Sequence, residues 1–100
     1  MSEKEQRVFE VRLRSNRVQR ELDSLQKTDY ERVIAKLRAL ATEHRPKGCE
    51  KLHDDIYRIR VGDIRIIYLI DERAKHIEIG AIRRGLKEHT GNRRFISLIM

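Results

Sequence analysis

The chain has 100 residues, 39% of them hydrophobic and 39% charged, with 23 Lys and Arg against 16 Asp and Glu for a net charge of +7. That length suits one domain over residues 1–100 with a single core, and one Cys excludes an internal disulfide framework. No apolar run approaches the roughly 20 residues that span a bilayer, and the acid-bearing N-terminus lacks an apolar signal core, so a cytoplasmic protein without a membrane partner is expected.

Taken in chain order, Phe9, Val11 and Leu13 alternate with polar residues and predict a half-buried strand. Ser15 or Asn16 can cap a helix whose stripe is Val18, Leu22 and Leu25. Thr28 and Glu31 have the spacing of a capping box for a second helix. Its apolar face is Tyr30, Val33, Ile34, Leu37, Leu40 and Ala41. The short gap between the two stripes predicts an antiparallel helical hairpin.

Pro46, inside His44-Arg45-Pro46-Lys47-Gly48, divides this half from one of period two. Ile56–Val61 and Ile64–Ile70 read as strands joined by Gly62-Asp63, a two-residue loop suited to a type II′ turn. His76–Ile82 follows as a further strand. The order β-α-α-β-β-β predicts an α+β fold, a helical hairpin packed on a small, mostly antiparallel twisted sheet. Tyr57, Ile59, Ile66, Tyr68, Ile77 and Ile79 are expected to be buried against Val33, Ile34, Leu37 and Leu40. The apolar stretch Phe95–Met100 fits a short strand, a helical turn or a tail that docks on a partner.

The Gly62-Asp63 turn also sets a register. Val61 faces Ile64, Arg60 faces Arg65, Ile59 faces Ile66, Arg58 faces Ile67 and Tyr57 faces Tyr68. Arg58, Arg60 and Arg65 then share the face opposite the core. Like charges opposed across a sheet are unfavourable by a few tenths to about 1 kcal/mol. A bound anion would relieve that, and the Arg fork suits phosphate. With Ala81 in the core-facing set beside Ile77 and Ile79, Arg84 is placed on the same side as the arginine patch, with Arg83 beside it. The plainer reading is a solvated face paired with Glu78 or Asp71.

The net charge points to a polyanion such as nucleic acid. With no Trp and five Phe and Tyr in all, broad stacking on single-stranded bases is poorly supported. The four His (His44, His53, His76 and His89) match no metal motif, so neither a metal nor a cofactor is expected. His53 and His89 flank the arginine strands and are candidates for proton transfer. Cys49 reads as structural.

The segments Arg45-Pro46-Lys47-Gly48-Cys49-Glu50-Lys51-Leu52 and Ile56-Tyr57-Arg58-Ile59-Arg60-Val61-Gly62-Asp63-Ile64-Arg65-Ile66-Ile67-Tyr68 resemble the RelE/ParE toxin superfamily, as does Ile77-Glu78-Ile79-Gly80-Ala81-Ile82-Arg83-Arg84. The resemblance extends over about residues 8–90. It implies a ribosome-dependent mRNA endoribonuclease that inhibits translation, in which the RNA's own 2′-OH attacks the neighbouring phosphate. It also implies a cognate antitoxin as partner, beside ribosome and mRNA. The family's basic positions correspond to Arg58, Arg60, Arg65 and Arg84, with Lys51 and Arg83 as further RNA-binding candidates.

The sequence departs from the RelE pattern in two ways. Two strand positions that are Lys in well-studied RelE proteins are Arg here, and Arg holds phosphate but is a poor proton donor. The RelE Tyr after the basic turn is missing from Gly85-Leu86-Lys87-Glu88-His89-Thr90, where His89 is the expected substitute and Glu88 or His53 the runner-up. The alternatives are a ParE-like, non-catalytic inhibitor of DNA gyrase, or a weakly active ribosome-binding relative.

Overall fold

The computed structural model describes residues 8–85. The elements are β1 (Glu10–Leu13), α1 (Asn16–Asp23), α2 (Lys27–Leu40), β2 (Glu50–His53), β3 (Ile56–Val61), β4 (Ile64–Asp71) and β5 (His76–Arg84). The sheet order is β1-β5-β4-β3-β2. Every neighbouring pair is antiparallel except β1 with β5. Two helices pack on this sheet, giving the expected α+β class.

The core lies between the helical hairpin and one sheet face. Val18 and Leu22 of α1 and Val33, Leu37 and Leu40 of α2 are buried against Tyr57, Ile59, Ile64, Ile66, Tyr68, Ile77 and Ile79. Ile34 packs at the margin, partly buried. β4 is the central strand, and alternate residues Ile64, Ile66, Tyr68 and Ile70 are each 1% exposed or less. Burying one such side chain contributes about 1.5–3 kcal/mol. This period-two burial fixes which face of β3 and β4 is left for charge.

The hairpin register is the expected one, with Arg60 opposite Arg65 and Tyr57 opposite Tyr68. Gly62 has φ +63 and Asp63 does not share a positive φ, as a type II′ turn requires. An L side chain at Gly62 would be strained there.

Three features differ from the sequence reading. β2 is an additional strand at the sheet edge. Its residues are all exposed, so it has no hydrophobic alternation to reveal it. The helix α2 begins at Lys27, and the carbonyl of Gln26 accepts the Tyr30 N–H at 2.8 Å. Thr28 therefore lies inside the first turn and cannot adopt the extended backbone of a capping residue, so the capping box does not form. Finally, the β4–β5 register shifts between Ile67 and Tyr68, which pair with Ala81 and Ile79. Gly80 is the unpaired extra residue of a β-bulge, and the side-chain alternation of β5 reverses beyond it. Ile82 is consequently buried in the core, where Ala81 was expected.

Candidate nucleic-acid interface

The loop before β2 is anchored from several sides. His44 Nδ1 lies 2.8 Å from the Leu40 carbonyl at the end of α2, and the Tyr68 hydroxyl donates to the His44 carbonyl at 2.8 Å. Phe9 stacks on the His44 ring at 3.9 Å. Arg45 donates from Nε to the Tyr57 hydroxyl at 2.9 Å and from Nη2 to Glu72 at 2.8 Å. Those two bonds push the Arg45 pKa upward. Gly48 then turns the chain with φ +93, and Cys49 N–H bonds the Pro46 carbonyl at 3.0 Å. The result sets Gly48 and Glu50 beside the arginine face of β3 and β4.

A cleft of about 300 Å³ opens there, lined by Gly48, Glu50, Arg58, Arg60 and Arg65. Glu50 stands opposite Arg58 in the β2–β3 ladder and accepts a hydrogen bond from its Nη2. Arg60 and Arg65 face each other, and among the described residues their guanidinium groups have no acidic partner. Arg65 is further bounded by Gly85, whose missing side chain leaves room 3.5 Å from Arg65 Nε. The backbone N–H of Gly85 bonds the Asp63 carbonyl, tying the end of β5 to the hairpin turn. Permanently charged forks in a concave site can hold phosphate oxygens in bidentate fashion.

The other expected site residues fall elsewhere. After the bulge, Arg83 stands opposite Arg65, and Arg84 stands opposite the buried Ile64. Arg84 instead bonds Asp29 at the start of α2 at 3.2 Å and lies 3.9 Å from Asp63. The placement of Arg84 on the arginine face is thus corrected, because one extra residue in β5 exchanges its position with that of Arg83. Arg83 donates from Nε to Glu21 of α1 at 3.1 Å. The other carboxylate oxygen of Glu21 accepts the Ile82 N–H at 2.9 Å, filling the place that β1 leaves vacant beyond Leu13. Burial raises the Glu21 pKa, but these hydrogen bonds and the charges of Arg83 and Arg17 outweigh it and leave it lowered.

Lys51 is opposite Tyr57 in the ladder, so it alternates away from the cleft that Glu50 lines. His53 is exposed at the sheet edge with Nε2 3.4 Å from Asp54. His89, Glu88 and the stretch Phe95–Met100 lie outside the described residues. Cys49 is partly buried against the core. No helix among the described residues is long and apolar enough to cross a membrane.

Glu50 is the cleft residue that sequence reasoning missed. Its signal was the Glu50-Lys51 step before the arginine strand, legible only once β2 is recognised as a strand paired with β3.

A family model described as the ParE toxin of type II toxin–antitoxin systems, parDE, matches residues 13–88. A comparison with curated proteins finds no match. Among solved structures, the archaeal RelE–RelB complex from Pyrococcus horikoshii is similar with a TM-score of 0.69 and 26% identity, covering 80% of this chain and 98% of that one. The toxin–antitoxin complex RelBE2 from Mycobacterium tuberculosis gives a TM-score of 0.67 at 20% identity, covering 77% and 91%. The isolated E. coli RelE toxin gives 0.71 at 15% identity, covering 92% and 99%, a likeness of fold. With the family model spanning both helices, the whole arginine hairpin and β5, this chain belongs to the RelE/ParE family of type II toxin–antitoxin toxins.

Proposed function

We propose that this chain is the toxin of an antitoxin-neutralised pair and that it cuts mRNA on the ribosome. The observation that carries the reading is the cleft of Arg58, Arg60 and Arg65, in which two guanidinium groups face each other without an acidic partner among the described residues. In the reaction, the RNA 2′-oxygen forms a bond to the adjacent phosphorus and the bond to the 5′-oxygen breaks. A base takes the 2′ proton and an acid returns one to the leaving 5′-oxygen. Negative charge grows on the phosphoryl oxygens meanwhile, and preorganised donors aimed at them supply several kcal/mol of stabilisation. Arg58, Arg60 and Arg65 serve that role. Arg cannot exchange the protons at neutral pH. Glu50 in the cleft and His89 after β5 have suitable chemistry for that step. The archaeal RelE–RelB complex supports an antitoxin as partner.

A ParE-like inhibitor of DNA gyrase is the second reading, favoured by the description of the matching family model. It has no need of a phosphate clamp. Single-turnover mRNA cleavage on programmed ribosomes, beside a gyrase supercoiling assay, separates the two. Cleavage by the wild type and its loss by at least tenfold in Arg65→Ala is the expected result. Supercoiling inhibition without cleavage overturns the ribonuclease reading. Ribosome binding with neither activity leaves a ribosome-binding relative.

A further inference from the structure

The Glu50 wall of the cleft draws little support from the core. Glu50 opens β2, whose four residues are all exposed and whose pairing with β3 slips between Lys51 and His53. A strand without buried apolar side chains has little to hold it in register. The place of Glu50 is therefore set by the chain that leads into it. Arg60 and Arg65, by contrast, stand within the six-pair ladder of β3 and β4 and owe nothing to that loop.

The chain into Glu50 is fixed at each step. Arg45 donates to the Tyr57 hydroxyl at 2.9 Å and to Glu72 at 2.8 Å, and its guanidinium carbon lies 5.3 Å from the centre of the Tyr57 ring. Pro46 is buried. Its carbonyl accepts the Cys49 N–H at 3.0 Å, and Gly48 has the positive φ, +93, that a type II turn places at its third residue. Cys49 packs on the core, and Glu50 then accepts from Arg58. Tyr57 and Arg58 are neighbours in β3, so their side chains point to opposite faces of the sheet. Arg45 and Glu50 thus grip adjacent residues of one strand from its two sides, with a turn of fixed shape between them. The second carboxylate oxygen of Glu50 has no hydrogen-bond partner among the described residues.

We infer that Arg45 is a positioning residue for RNA cleavage, holding the second oxygen of Glu50 in the cleft to take the 2′ proton. That proton leaves as the 2′-oxygen bonds to phosphorus, and the departing 5′-oxygen receives one from the acid of the same step. The inference rests on the RNA-cleaving reading above. Displacing a reacting group by about 1 Å costs on the order of 100-fold in rate, so a clamp outside the cleft is sufficient to govern the chemical step.

The experiment is single-turnover mRNA cleavage on programmed ribosomes, at rising toxin concentration, by the wild type, Arg45→Ala, Glu50→Gln and the double variant, with thermal unfolding of each recorded. Arg45→Ala is expected to lower the maximal cleavage rate by at least about tenfold, within the range of a positioned base. The toxin concentration at half-maximal rate should stay within about twofold, because Arg60 and Arg65 keep their places in the ladder. In the Glu50→Gln background the same substitution should change the rate less than about twofold, the mark of two residues acting as one. Tyr57→Phe, which removes only the hydroxyl that Arg45 grips, is expected to show the same dependence on Glu50 and decides the matter if Arg45→Ala melts below the assay temperature. Equal losses with and without Glu50, or a fully active Glu50→Gln, overturn the positioning role and leave the ribonuclease reading intact. A wild type that cuts no RNA overturns both.

Discussion

Arg60 and Arg65 stand directly across from each other on β3 and β4, and neither guanidinium has an acidic partner among the described residues. Among the described residues the only carboxylate lining the cleft, Glu50, is bonded to Arg58. Opposed like charges cost the fold a few tenths to about 1 kcal/mol. Arg60→Thr is therefore expected to raise the urea midpoint by that equivalent, while lowering the stabilisation gained from added inorganic phosphate. A variant less stable than wild type without phosphate would contradict the repulsion.

Glu21 closes the free edge of β5 by accepting from Ile82 N–H and Arg83. Glu21→Ala leaves a backbone donor unsatisfied and is expected to cost about 1–3 kcal/mol. The pH dependence has a definite sign. The folded-state pKa is lowered below 4.5, so the contribution is complete above that value and disappears as pH falls through the folded pKa. Urea unfolding of wild type and Glu21→Gln should thus differ more at pH ~7 than at pH ~3.

Tyr68 acts at the opposite end of the scale. It is 1% exposed and donates to the His44 carbonyl. Burial, with the neighbouring Cys49 and Tyr57, pushes its phenol above 10.0. The unfolded chain then ionises first, and stability is lost as pH rises from the ordinary tyrosine value through the folded one. Tyr68→Phe should lose about 1 kcal/mol near neutrality and show a shallower decline between pH ~9 and ~11. Equal alkaline slopes would remove Tyr68 as the source.

Gly85 and Gly80 provide a steric contrast. A methyl added at Gly85 would lie 2.9 Å from the Asp63 carbonyl oxygen, a backbone atom that can yield only by moving the hairpin turn. Gly85→Ala is expected to cost about 1–3 kcal/mol and, on the ribonuclease reading proposed above, to weaken RNA cleavage by displacing Arg65. Gly80→Ala, with contacts of 3.7 and 3.8 Å, should remain within about 1 kcal/mol of wild type. Thermal melts of the two variants read the difference directly.

Much of this arrangement is legible in the sequence because β3 and β4 are joined by a turn that permits one register. From Gly62-Asp63 outward, every cross-strand pair from Val61–Ile64 to Tyr57–Tyr68 follows, and with it the separation of the isoleucine and arginine faces. What could not be read has a local cause in each case. The bulge at Gly80 reverses parity, and a lone Gly within a strand signals a bulge without fixing its register. Arg83 and Arg84 thereby exchange faces. β2 is an exposed edge without an apolar side, so its pairing with β3, and the entry of Glu50 into the cleft, depend on a loop held by His44 and Arg45. A small hollow lined by Arg14, Ile67, Glu78 and Gly80 likewise combines residues far apart in sequence that the bulge and the β1–β5 pairing bring to one place.

That β1–β5 pairing also bears on timing during synthesis. Among the described residues β1 finds its only ladder partner in β5, from Glu10 with His76 to Leu13 with Ile79. Pairings between such distant segments form late, since a long loop must close before any contact rewards it. A nascent chain that has not yet released β5 lacks Ile77, Ile79 and Ile82 from its core and leaves β1 unpaired. A chain whose synthesis has not reached β5 therefore has no finished sheet, and a product cut short ahead of Arg84 is expected to be an open, protease-sensitive polypeptide.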